Sequence, residues 1–307
     1  MKIIQISLLG LLLQACNASV DSNIVNSDEA VQSGTAIFGG ELSDYWYQGE
    51  AEISTYTLSQ ARYGELREGQ AVLIQVSEPF LADRQVKDEG GGAESGTSAA
   101  VLKTNLIRRF VTGIYDYSLM TSVFTPTDGT TYPNTLKVTT SSQDWCGQSY
   151  TQLNYTGSDK WRMQLRSYFE REGDQDVPLA ADFLEDEIFN RIRIGGKLPE
   201  GSFQVIPSTG YLLMTHQAYR AAPARASNAA VGDSLQTYSL EYTDLPRRLE
   251  ITYEADPPYV IRAWTETYPS GDTTLTTTAT LNQQRTEPYW SQNANANRPL
   301  RADLGLE

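Results

Sequence analysis

The chain has 307 residues, 40% of them hydrophobic and 20% charged, and 38 acidic against 24 basic side chains leave a formal charge of −14. That balance excludes nucleic acid as a partner, whose phosphates demand a basic face. Two cysteines and one histidine exclude a disulfide framework, a Cys-rich zinc site and a multi-histidine metal centre.

At the N-terminus, Lys2 precedes an apolar run over residues 3–13 that only Gln5, Ser7 and Gly10 interrupt. Such a run rises about 16 Å as a helix, whereas a bilayer core needs about 20 residues to span. Residues 1–15 therefore read as a signal peptide rather than a membrane anchor. The string Leu13-Gln14-Ala15-Cys16 resembles the lipobox of bacterial lipoproteins, which implies acylation of Cys16. Asn17, standing where an aspartate would favour inner-membrane retention in enteric bacteria, implies the outer membrane. Residues 17–61 hold seven acids and no Lys or Arg. Within them, residues 16–44 read as a solvated acidic tether that holds the body off an anionic membrane.

Residues 45–307 read as one β-rich domain, the alternative being two halves with a break in the Ala-rich stretch 221–234. Period-two alternation predicts antiparallel strands with one face on a core and one in water. It is clearest where Trp161, Met163 and Leu165 alternate with Arg162, Gln164 and Arg166, in Tyr238-Leu240-Tyr242, and in Leu249-Ile251-Tyr253. Further strands are expected at 72–76, 101–110, 118–124, 136–140, 149–155 and 274–281, with a polar surface loop over 83–100. One helix is expected over 179–193: Leu184, Ile188 and Ile192 make an apolar stripe for the sheet, Glu187 faces solvent, Asp182 with Glu185 supplies a capping pair, and Gly195 supplies the stop. The segment 211–220 shows no clear period. These elements predict an α+β fold, a curved antiparallel sheet or half-open barrel packed on one main helix.

Candidate chemistry is sparse. Cys146 could be a nucleophile with His216 as base and Asp144 nearby; the expected alternative is a buried thiol beside Trp145. Glu170, Glu172, Asp174 and Asp176 alternate, so on a strand they would share a face able to hold a hard cation such as Ca²⁺. Arg171 is interleaved, and the EF-hand spacing fails because Leu179 stands where the loop glycine belongs, so a solvated edge or helix-entry loop is expected and no metal or cofactor. The aromatic groups Tyr45-Trp46-Tyr47, Tyr115 with Tyr117, and Tyr289-Trp290 suit a core better than a saccharide platform.

Several strings in order, among them Tyr45-Trp46-Tyr47-Gln48-Gly49, Gln60-Ala61-Arg62-Tyr63-Gly64-Glu65, Trp145-Cys146-Gly147, Leu184-Glu185-Asp186-Glu187 and Leu300-Arg301-Ala302-Asp303-Leu304-Gly305-Leu306, resemble a family of bacterial envelope lipoproteins with no established activity. Its members often carry the label "septum formation inhibitor Maf". The pyrophosphatases of that name use a Ser-x-Arg-Arg motif; the nearest string here, Leu245-Pro246-Arg247-Arg248-Leu249, lacks the serine, and 59 residues follow Arg248. No catalytic residue carries over. The expected protein is a non-enzymatic lipoprotein of the cell envelope, held at the outer membrane through its N-terminal lipid, whose β-rich periplasmic body binds an envelope protein or an apolar ligand. A hydrolase using Cys146 or a carboxylate pair, and a Maf-like nucleotide pyrophosphatase, are the alternatives.

Overall fold

The period-two segments form strands, and a computed structural model, which describes residues 40–90, 97–195 and 198–306, joins them into one open sixteen-stranded sheet. Cys16 and residues 1–15, the expected signal peptide, lie outside the described residues. Residues 40–44 of the expected tether belong to a short helix, α1 (Gly40–Trp46), whose Leu42 and Trp46 are buried. The first half of the chain forms a meander of β1 (Ala51–Arg62), β2 (Glu65–Leu81), β4 (Ser98–Thr112), β5 (Tyr115–Pro126), β6 (Lys137–Asp144), β7 (Gly147–Gly157), β8 (Lys160–Ser167) and β9 (Gln175–Ala180), with the two-residue β3 (Val86–Lys87) beside β2. The second half runs through β10 (Phe183–Leu184), β11 (Gly201–Ile206), β12 (Ala222–Val231), β13 (Leu235–Tyr242), β14 (Arg248–Glu254), β15 (Ile261–Ser270) and β16 (Thr273–Glu287), and β16 returns to pair with β1. The Ala-rich stretch is therefore β12, paired on both sides within the same sheet. All neighbours are antiparallel except β10 and β11.

This order puts the first and last strands in the middle and leaves β9 and β10, consecutive in sequence, at opposite edges. The sheet curls until the two edges meet at one corner. The Ala181 amide donates to Asp159 O beside β8 (3.1 Å), and the next amide, Asp182, donates to Gln204 O on β11 (2.8 Å). The edge strand β9 carries Pro178 and Asp176, which discourage further pairing. On the outer face the C-terminal segment, including α4 (Leu300–Asp303), folds back so that Gly305 O accepts Gln70 Nε2 at 2.7 Å.

Two seven-residue helices fill the concave side, α2 (Ile188–Ile194) and α3 (Thr209–Thr215). The single long helix expected over 179–193 is broken into the end of β9, β10, a 3-10 turn (Glu185–Glu187) and α2. The reason is tertiary: this segment must cross from one sheet edge to the other, and its apolar residues serve a buried strand as well as a helix. Asp182 does not cap a helix; its Oδ2 accepts the Gln204 amide at 2.7 Å. The expected stop does hold, with Gly195 at φ +72°, where an added Cβ would come within 2.7 Å of the Tyr259 ring.

Leu184, Ile188 and Ile192 are buried as the stripe requires, but Glu187 is buried too, not solvated. Because α2 lies inside the curl, it has no free outer face. Glu187 Oε1 accepts from Arg191 Nε (2.6 Å), and Arg191 Nη2 donates to Pro133 O (3.0 Å). Ile188→Val should lower stability by about 0.5–1.5 kcal/mol, the usual cost of one buried methylene, and Val231→Ala at an exposed strand end by under about 0.5 kcal/mol. Urea melts check the pair; equal midpoints would mean that the helix–sheet contact is not tightly packed.

Candidate functional site

Antiparallel meandering sorts the loops between two ends of the sheet. The chain enters β1 at one end. At the other lie the β1–β2, β4–β5, β6–β7, β8–β9 and β15–β16 connections, together with the C-terminus of α3. Large apolar side chains stay exposed on this second rim: Tyr63 (52%), Ile114 (84%), Trp145 (68%) and Tyr168 (68%), with Leu66 and Val111 beside them. The aromatic inventory thus divides. Trp46, Trp161 and Trp264 are core, whereas Trp145 stands in solvent 6.4 Å from Tyr115, and Tyr289 and Trp290, expected in a core, are exposed beyond β16 at the end where β1 begins.

Three hollows lie side by side along the rim as an interrupted groove, neighbours sharing lining residues: Gly147 and Gln148 between the first two, Arg62 and His216 between the last two. The widest, about 560 Å³, is lined by strand ends of β6–β8 and by Arg166, Tyr168 and Asp174. A constriction of about 20 Å³ between Arg62, Tyr117, Asp144, Gln148, Phe169 and His216 adjoins a third part of about 230 Å³ beside Tyr63 and His216. Arg62 orders the constriction: its Nη2 donates to the Tyr63 and Tyr117 hydroxyls (both 3.0 Å), its Nη1 donates to Met214 O, and its guanidinium lies 4.1 Å from the Tyr63 ring centroid. Burial raises the Tyr117 hydroxyl above its ordinary value.

Most of the residues singled out from the sequence meet at this rim, in roles other than those expected. His216 caps α3 at φ +54°; its Nδ1 lies 2.7 Å from Glu172 Oε1, and its ring is edge-on to Phe169 at 4.5 Å. Cys146 is exposed at the β6–β7 turn rather than buried beside Trp145, because this tight connection turns both side chains outward. Its amide donates to Asp144 Oδ1 at 2.6 Å, and the same carboxylate raises the thiol, which opposes thiolate formation. The histidine is thus engaged by a carboxylate, and the thiol is disfavoured as a nucleophile.

The acidic run does not share one strand face. Glu170 and Glu172 lie in a turn, Glu170 exposed and Glu172 bonded to His216 and Ser167. Asp174 lies 3.8 Å from Arg166 Nε, and Asp176 on β9 receives Arg162 through two bonds (2.8 and 2.5 Å) that lower its carboxyl to about 2. Glu172, Asp174 and Asp176 are therefore drawn to different partners. No cluster of three His, Cys, Asp or Glu able to hold a metal occurs among the described residues.

A second cluster lies inside the curl and left no trace in the sequence reading. Arg247 donates to Glu185 and to Glu266 Oε2 (3.0 Å), Arg108 pairs with Glu266 Oε1 (2.6 Å), and the Tyr242 hydroxyl donates to Glu185 Oε2 (2.7 Å). Burial alone would raise the Glu266 carboxyl, but Arg108 and Arg247 together hold it at about 2. Arg247, the first arginine of the Maf-like string, is thus wholly occupied by the interior, while Arg248 pairs with Glu250 on the surface. Asp186 borders the same region. Burial pushes its carboxyl up to about 6, although the Thr209 amide (2.9 Å) and hydroxyl (2.7 Å) both donate to it. The hollow among these groups is small, about 30 Å³, and the network ties the 3-10 turn before α2 and, through Asp186, the start of α3 to the sheet.

Comparison of the chain with known protein families, characterised proteins and solved structures finds no match.

Proposed function

We propose that this chain is a lipid-anchored protein of the bacterial cell envelope, fixed through Cys16, whose body binds its partner or ligand at the groove-bearing rim and carries out no catalysis. The observation behind this reading is polarity along the strands. The tether joins the body at the start of β1, and the exposed aromatic rim stands at the far end of that twelve-residue strand, about 40 Å away at the usual strand rise. A binding face so placed looks away from the surface that holds the lipid. Residues 16–39 can span at most about 80 Å, enough for the body to stand clear of headgroups. The outer faces of the strands, with Arg162, Gln164 and Arg166 on β8, suit water and not lipid, so the body is read as standing off the bilayer.

Two arms of one experiment test the reading. Cys16→Ser should release the protein from the membrane fraction and abolish acyl labelling, whereas Cys146→Ser should remain bound and labelled; retained labelling in Cys16→Ser defeats the anchor. A photo-crosslinking side chain at Ile114 on the rim should then capture an envelope component in cells, and one at Val231 at the opposite end should not. Capture at Val231 alone would move the binding face to the wrong end of the sheet.

A further inference from the structure

We infer that the wide part of the groove, about 560 Å³, is a binding site for a neutral oligosaccharide, an inference that rests on the rim being the binding face. The volume falls within the range of about 300–1,000 Å³ typical of small-molecule sites. Tyr168 offers an exposed ring packed against the β6–β7 turn: a Cβ on Gly147 would come 2.9 Å from that ring, so glycine is what lets it lie there. Tyr150 gives a second aromatic face, its hydroxyl held by Gln152 Oε1 at 2.7 Å. Around these faces stand Gln143, Gln148, Arg166 and Asp174. A sugar ring matches this lining, with an apolar C–H face to stack on tyrosine and hydroxyls to pair with planar amide, guanidinium and carboxylate groups.

Other ligand classes fit less well. Arg166 and Asp174 lie 3.8 Å apart and cancel each other's charge, so the groove attracts neither anion nor cation strongly. An extended peptide laid on a sheet gains its affinity from unpaired main-chain groups. Here β6 and β7 are paired on both sides and β8 is paired with β9 as far as Leu165, so the groove offers no long free strand edge and side chains dominate its recognition. An acyl chain needs an enclosed apolar tunnel, whereas the hollow beside the interior ion network measures about 30 Å³. The continuation past Arg62 to the part beside His216 suits a chain of sugar units rather than a single one.

The test titrates the full chain, in detergent, with the tetramers of glucose and of N-acetylglucosamine, a sulfated tetrasaccharide and tetra-alanine, read by calorimetry and by NMR saturation transfer. At least one neutral tetramer should bind saturably, and which one assigns the sugar class. Tyr168→Ala should weaken that binding about tenfold or more, and Tyr168→Phe by less than about threefold, because the ring face and not the hydroxyl is used. Tyr168 is exposed, so both variants should keep the parent melting curve. Failure of both neutral tetramers, binding only of the sulfated sugar or the peptide, or binding indifferent to Tyr168→Ala each overturns the inference. Capture at Ile114 reads the rim independently: if it persists while the sugars fail, only the glycan assignment falls.

Discussion

Arg247→Met should destabilise the protein by about 3–5 kcal/mol, the cost of leaving buried charge without its counter-ion. The Arg247 side chain is fully buried between Glu185 and Glu266, which are 2% and 1% exposed. Its removal is not symmetrical. Glu266 keeps Arg108, while Glu185 keeps only the Tyr242 hydroxyl, so Glu185 becomes the orphan. An orphaned buried carboxylate is protonated more easily, so the penalty should shrink as pH falls from 8 to 5. Removing the orphan's charge should also help: Arg247→Met with Glu185→Gln should be more stable than Arg247→Met alone. Urea melts of the three proteins at both pH values decide the matter. A single-variant cost under about 1 kcal/mol, or a double variant worse than the single, would show that the network is not what fastens the helical segment to the sheet.

Asp186→Asn should act in the opposite direction. Burial raises the folded carboxyl to about 6, against an ordinary value of 3.8. A group raised in this way contributes stability that is fully present below pH 3.8 and is lost as pH rises through 6. By pH 7.5 the ionised form costs up to about 3 kcal/mol. Asparagine keeps an oxygen for the Thr209 amide and carries no charge. The variant should therefore gain about 1–3 kcal/mol at pH 7.5, gain little at pH 4, and lose the slope between. Since other carboxylates titrate in the same window, the quantity to follow is the difference between variant and parent. A difference that does not change with pH would place the Asp186 carboxylate in a solvated setting.

What was legible in the sequence follows from which faces are wet. Trp161, Met163 and Leu165 alternate with polar neighbours because β8 has core on one side and water on the other. β1 lacked that signal, since Ala51–Tyr56 are buried on both faces, the outer one partly covered by the C-terminal segment. The expected helix failed at Phe183-Leu184, where apolar neighbours satisfy a strand pairing and a helical stripe equally. The interior ion network was invisible because charged residues read locally as surface, and nothing near Glu185 announces an arginine 62 positions away. At the rim, Glu172 and His216 are 44 positions apart and meet only through the curl of the sheet. Cys146 was open to a better reading: Asp144 and Gly147 on either side of Trp145-Cys146 are turn residues, and a turn places its two central side chains in water.

The pairing of β1 with β16 also sets an order of assembly. Ala51 opposes Glu287 and Ser59 opposes Thr278, so the central ladder joins residues more than two hundred positions apart. During synthesis the first meander can zip up hairpin by hairpin from local contacts, yet the far side of β1 stays bare until the last strand has emerged. A half-built sheet therefore presents its longest sticky edge at its centre. Closure of that edge is the slow, non-local step of maturation, and a chain shortened before β16 would expose two such edges, on β1 and β15. For a chain of this design, protection by a chaperone matters most in the interval between the arrival of β1 and the arrival of its partner.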